Sequence, residues 1–111
     1  MNKYTELSNF DINRRIAEMD TENRYVYFEK EQTIFRKFNN GQTQEFNPCN
    51  NPLDVWQLIL GAKLSIHPDF NNDCNSWIVR NIHIPMVNET NLARGISIAY
   101  LLMKDAENEK V

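Results

Sequence analysis

Phe10, Ile12, Ile16 and Met19 recur at near-helical spacing, while Arg14, Arg15 and Glu18 fill the opposite side. That pattern predicts a helix from about Asn9 to Met19. Ser8 stands where a cap belongs, Asp11 completes a partial capping box, and Leu7 before the cap suits a hydrophobic staple. The period then changes to two. The stretches 24–29 and 33–38 are rich in β-branched and aromatic residues, with Tyr25 and Tyr27 on one face and Val26 and Phe28 on the other. Lys30-Glu31-Gln32 joins them as a β-hairpin, Asn39-Asn40-Gly41 turns the chain again, and residues 43–46 suit a further short strand.

Phe46-Asn47-Pro48-Cys49-Asn50-Asn51-Pro52 interrupts this pattern, since so many prolines and asparagines oppose regular structure. Its end opens a helix: Asn51 as N-cap, Pro52 at the first helical position, Asp54 near the positive end of the dipole. Leu53, Val55, Trp56, Ile59 and Leu60 make that helix apolar over most of its surface, which predicts a central position, and Gly61 is read as its stop. Residues 63–67 read as a strand ending at Pro68, 69–75 as a polar loop, and 76–84 as a strand ended by Pro85. A last helix is expected over residues 89–104, capped by Asn88 or Thr90, with Leu92, Ile96, Ala99, Tyr100 and Met103 inward. The charged tail 105–111 is expected to fray. The order α-β-β-(β)-α-β-β-α implies one α+β domain over residues 1–111: a small antiparallel sheet of about four to five strands packed against two to three helices.

Composition agrees with an ordinary globular domain. The 111 residues are 41% hydrophobic and 24% charged, enough for one core without metal or disulfides. Six Phe, four Tyr and two Trp supply much of its volume, because alanine is scarce. Net charge is −3 with acids and bases interleaved, which disfavours nucleic acid as a partner. Two cysteines in an unstapled chain suggest a reducing compartment, and no apolar run approaches the ~20 residues of a membrane span. The expectation is a cytoplasmic protein with no membrane partner.

Candidate chemistry is sparse. Cys49, His67, Cys74 and His83 lack the close paired spacing of a structural zinc site, and no metal or other cofactor is implied. Cys49 lies just ahead of a helix N-terminus, where a thiolate is favoured, but no His or paired carboxylate accompanies it as a catalytic partner. Asn47, Asn50 and Asn51, with Asp54 and Trp56 nearby, place amide groups ahead of the same helix and form a candidate binding loop for a partner or polar ligand. Asx-turns and an N-cap explain the same asparagines. Tyr25 and Tyr27 are the candidate exposed aromatic surface for a protein partner, whereas Trp56 and Trp77 are expected in the core. Gly95 inside the last helix signals close approach, by a strand or by a second copy in a homodimer.

The stretch Phe46-Asn47-Pro48-Cys49-Asn50-Asn51-Pro52-Leu53-Asp54-Val55-Trp56, with Ile59 and Leu64-Ser65-Ile66, resembles the phage NinX-like family of small phage and prophage proteins. The opening 4–13 and the block Asn91-Leu92-Ala93-Arg94-Gly95-Ile96 resemble it too. Val55, Ala93 and Gly95 depart from the pattern. The resemblance implies a phage origin and an accessory role, and it carries no catalytic residues. The leading expectation is a non-enzymatic module binding a host or phage protein. The alternatives are a small-molecule or nucleotide pocket at the Asn-rich loop, and a nucleic-acid-associated accessory protein.

Overall fold

The computed structural model describes residues 2–72 and 75–109. Its elements run α1 (Asn9–Met19), β1 (Arg24–Phe28), β2 (Thr33–Lys37), β3 (Thr43–Glu45), α2 (Pro52–Ala62), β4 (Ser65–Pro68), a single 3-10 turn (Phe70–Asn72), β5 (Trp77–Arg80), β6 (Val87–Glu89) and α3 (Leu92–Glu109). The α+β class is as expected. The strands, however, form two antiparallel three-stranded sheets, β1-β2-β3 and β4-β5-β6, rather than one sheet of four to five. Residues 81–84 leave the expected long strand in a turn, held by His83 N–H donating to Asn81 Oδ1. Residues 87–89 return to pair with β5, Trp77 opposite Glu89 and Val79 opposite Val87.

Helix α3 is the centre of the molecule, packing on α1, α2, β5 and β6. Gly95, Ile96, Ser97, Ile98, Ala99, Leu101 and Met103 are all buried. Each large apolar side chain enclosed this way contributes roughly 1.5–3 kcal/mol. A Cβ at Gly95 would lie 3.3 Å from Glu89 Cβ and 3.4 Å from Val79 Cγ2. The glycine therefore answers a neighbouring strand rather than a second copy. The helix also outruns its expected end. It continues to Glu109, and Asp105 accepts a 2.5 Å hydrogen bond from the buried Tyr4 hydroxyl. Residues 110 and 111 lie outside the described residues.

Helix α2 is peripheral, which corrects the expectation of a central helix. Val55, Leu58 and Ala62 are buried, while Leu53, Trp56 and Leu60 are 79%, 59% and 55% exposed. Gly61 lies within the helix. Lys63 adopts the left-handed conformation (φ 53°, ψ 54°) that ends it. Among the described residues, no helix is long and apolar enough to cross a membrane.

Candidate functional site

The Asn-rich loop has a defined architecture. Asn47 is its pivot: its carbonyl accepts from the Asn50 and Asn51 N–H groups, and its own N–H donates to Asp54 Oδ2 at 2.8 Å. Its Oδ1 accepts from Asn13 Nδ2 at 2.8 Å and from Asn50 Nδ2 at 3.1 Å. Asn51 caps α2, its Oδ1 accepting from Leu53 N–H at 3.0 Å. An unpaired helix N-terminus attracts anions through free N–H groups and a positive dipole end. Here Asn51 takes the Leu53 and Asp54 N–H groups, and the Asp54 carboxylate supplies the negative charge. Any external anion at this place would meet that carboxylate.

The loop is clamped from two sides. Buried Asn13 of α1 donates to Asn47 and accepts the Cys49 N–H at 3.0 Å. Asn91 donates its Nδ2 to the Cys49 carbonyl at 3.0 Å and caps α3 by accepting from Arg94 N–H. Asn91, not Asn88 or Thr90, is thus the cap. Three residues on, Arg94 reaches back across the N-terminal segment. It donates to Asn9 Oδ1 at 2.6 Å and to the Thr5 and Leu7 carbonyls at 2.9 Å each, and its Nε lies 3.4 Å from Glu89 Oε1. The N-terminal segment, the central loop and the start of α3 are therefore joined by one polar network.

Cys49 is fully buried. Burial pushes its thiol up to about 11, outweighing the opposing influence of Ser97 and Arg94. At neutral pH it is a small core side chain, not a nucleophile. His67 and His83 are exposed, on β4 and in the 81–84 turn. Asp73 and Cys74 lie outside the described residues. Among the described residues, no three His, Cys, Asp or Glu side chains gather as a metal site.

The hairpin's two faces are the reverse of the expected pair. Tyr25 and Tyr27 are half-buried against the core. Tyr25 lies 5.1 Å from the Phe46 ring and donates its hydroxyl to Asp20 at 2.6 Å. Tyr27 faces the Arg14 guanidinium at 5.4 Å. The outward face carries Val26, Phe28 and Phe35, the two Phe rings meeting edge to face at 5.7 Å. Register places Val26 beside Phe35 and Phe35 beside Glu45, with Arg24 and Lys37 paired at one end. Lys37 and Thr43 close that end of a shallow depression over the apolar grid, about 390 Å³ in volume. Alternation told the two faces apart but not which was inward. That depended on where α1 packs.

A polar cleft of about 580 Å³ lies beneath the inner face of the same sheet, lined by Asp20, Tyr25, Arg36, Leu53, Asp54 and Gln57 among others. Of the loop candidates it includes only Asp54. Arg36 stands against the Tyr25 and Phe46 rings at 5.8 and 5.5 Å, and its buried Nε has no hydrogen-bond partner among the described residues.

A family model described as Bacteriophage P22, NinX matches residues 3–104. The chain belongs to that family. No curated protein and no solved structure matches the chain. The blocks by which the chain resembles the NinX family, at 4–13, 46–66 and 91–96, are the segments that the Asn13–Cys49–Asn91 and Arg94 network joins. In this member, those family-like residues build the fold's central junction.

Proposed function

We propose that this NinX-family chain is a non-enzymatic accessory protein of a phage or prophage, acting in the host cytoplasm by binding a host or phage protein. One observation carries the reading: the outer face of the β1-β2-β3 sheet presents Val26, Phe28 and Phe35 as a contiguous apolar grid, with Phe28 44% exposed. Apolar surface gathered in this way and edged by charge is the usual anatomy of a protein contact. Arg24 and Lys37 at one end suit a partner carrying acidic groups beside its apolar ones. The test is affinity capture from host lysate, wild type beside Phe28→Ser/Phe35→Ser, with circular dichroism to establish folding. Loss of a specific partner from the folded variant is the expected result. Retention of every partner by that variant removes the reading.

The cleft under the sheet favours a second reading, a small polar ligand. The Arg36 guanidinium lines it without a carboxylate partner among the described residues, against two aromatic rings. A thermal-shift screen of nucleotides and carboxylates, repeated on Arg36→Gln, checks it. A ligand that stabilises wild type and not the variant supports the cleft. Equal shifts, or none across the screen, discard it.

A further inference from the structure

The outward face of α2 is a separate apolar surface. Among the eleven residues of α2, only Asp54 is charged, and its carboxylate is turned back onto Asn47 N–H. Leu53, Trp56 and Leu60 remain in solvent. At 3.6 residues per turn they fall within about 60° of one another and extend roughly 10 Å along the axis. The stripe continues past the helix. Asn81 donates its Nδ2 to the Ala62 and Lys63 carbonyls at 3.2 Å, which sets the next residue, Ile82, at the C-terminal end of α2, and Ile82 is 93% exposed.

We propose that this face binds a second copy of the chain, α2 against α2 in antiparallel pairing about a two-fold axis near Trp56. The stripe is close to a palindrome. Leucines stand three residues before and four residues after the tryptophan. A two-fold axis there sets Trp56 beside Trp56, and Leu53 of each copy against Leu60 of the other. A two-fold interface requires this self-complementarity, whereas an unrelated partner does not. Ile82 of each copy then covers the opposite N-terminal turn. Antiparallel pairing also opposes the helix dipoles. No charge on the stripe faces its own counterpart, although each chain carries −3 overall.

The exposed area is large enough for a specific interface. Trp56 at 59% exposure offers roughly 150 Å² of the ~250 Å² that a large aromatic ring system can bury. With Leu53, Leu60, Ile82 and the flanking rim, each copy contributes on the order of 600 Å², so the pair reaches the lower end of specific interfaces near ~1,200 Å². An interface at this lower end suits a reversible, concentration-dependent dimer.

Sedimentation equilibrium over a wide concentration range tests the proposal. Wild-type mass should rise from 13.1 kDa toward twice that value. Trp56→Glu, folded by circular dichroism, should remain at the monomer mass. Leu53→Glu mixed with Leu60→Lys should associate, while Leu53→Glu mixed with Leu53→Lys should not. A wild type that stays monomeric at the highest concentration overturns the proposal, as does a Trp56→Glu chain that dimerises like wild type. A Leu53→Glu/Leu53→Lys mixture that associates in place of the Leu53→Glu/Leu60→Lys mixture overturns the antiparallel axis. Phe28→Ser/Phe35→Ser should leave the mass curve unchanged, which separates this surface from the outer face of the sheet.

Discussion

Replacing Arg94 by Met removes the donors that tie the N-terminal segment to α3 while keeping the apolar stem of the side chain. The wild-type guanidinium makes three hydrogen bonds of 2.6–2.9 Å, to Asn9 Oδ1 and to the Thr5 and Leu7 carbonyls. Its Nε also pairs with Glu89 at 3.4 Å, the two side chains being only 14% and 17% exposed. A hydrogen bond to a charged group contributes roughly 1.5–3 kcal/mol net when both partners are held, and these three are not additive because one loosened segment frees them together. The larger cost is Glu89, left nearly buried without its counter-charge. Breaking such a pair from one side costs about 3–5 kcal/mol. The remaining hydration of both groups places the expected loss near the lower bound, roughly 3 kcal/mol. Against a typical domain stability of about 5–15 kcal/mol, that is a large fraction. Urea titration followed by circular dichroism should show the midpoint falling by roughly 1–2 M. Dichroism is the better probe, because Trp56 and Trp77 are already 59% and 37% exposed, so unfolding changes their surroundings less than it would those of buried rings. Adding Glu89→Gln to the Arg94→Met chain should restore roughly 1–2 kcal/mol by removing the stranded charge. A single variant that loses less than ~1 kcal/mol, or a double variant no better than the single, would refute the account of this junction.

Lys63→Gly should raise the urea midpoint by the equivalent of about 0.5–1 kcal/mol, because a side chain is strained at φ 53°; a lower midpoint would contradict the cap. In a Cys74→Ser background, so that only Cys49 is read, a thiol reagent near neutral pH should react at least ~100-fold more slowly with the native chain than with the chain in denaturant. Comparable rates would place the Cys49 thiol outside the core. The Asp20 carboxyl is pushed up by burial, but bonds from the Tyr25 hydroxyl, the Asn23 side chain and the Glu22 and Asn23 N–H groups pull it below its ordinary 3.8. The unfolded chain therefore binds this proton first. The stability Asp20 contributes is complete above about 3.8 and is lost as pH falls through its folded value. Asp20→Asn should flatten the acid limb of a stability–pH curve, and an unchanged limb would count against the reasoning. Tyr25 acts in the opposite sense. Burial, aided by Asp20, holds its hydroxyl up to about 12, so stability should decline as pH rises above 10; Tyr25→Phe should make that decline shallower in an alkaline titration, leaving the shares of Tyr4 and Tyr27, whose hydroxyls burial also raises.

Legibility in the sequence followed the range of the signal. Helix α1 has the expected limits, because Ser8, Asp11 and the apolar spacing all act within one or two turns. Pro52 and Asn51 marked the start of α2 for the same reason. β6 was invisible: a three-residue segment after Pro85 becomes a strand only by pairing with β5, and Asn88 in it looked like a cap. The Asn-rich loop was legible as a special place. Its role as a clamp was not, because its partners Asn13 and Asn91 lie 34 to 42 residues away and an isolated asparagine carries no directional pattern. Arg94 read only as part of a family-like block, and its four-way contact has no local signature at all.

The sequence by itself determined the α+β class, the place of most elements and the family. These rest on period, caps and punctuation, which act between near neighbours. Tertiary structure alone decided which face of α2 and which face of the hairpin is inside. Helix α2 is apolar on nearly every side, so its own residues do not choose between burying Trp56 and exposing it. The choice fell to α3, which covers Val55, Leu58 and Ala62 and leaves the Leu53–Trp56–Leu60 stripe in water. The hairpin was settled likewise: α1 packs on the Tyr25–Tyr27 side, which leaves half-buried Val26 and Phe35 and exposed Phe28 on the opposite, outward face.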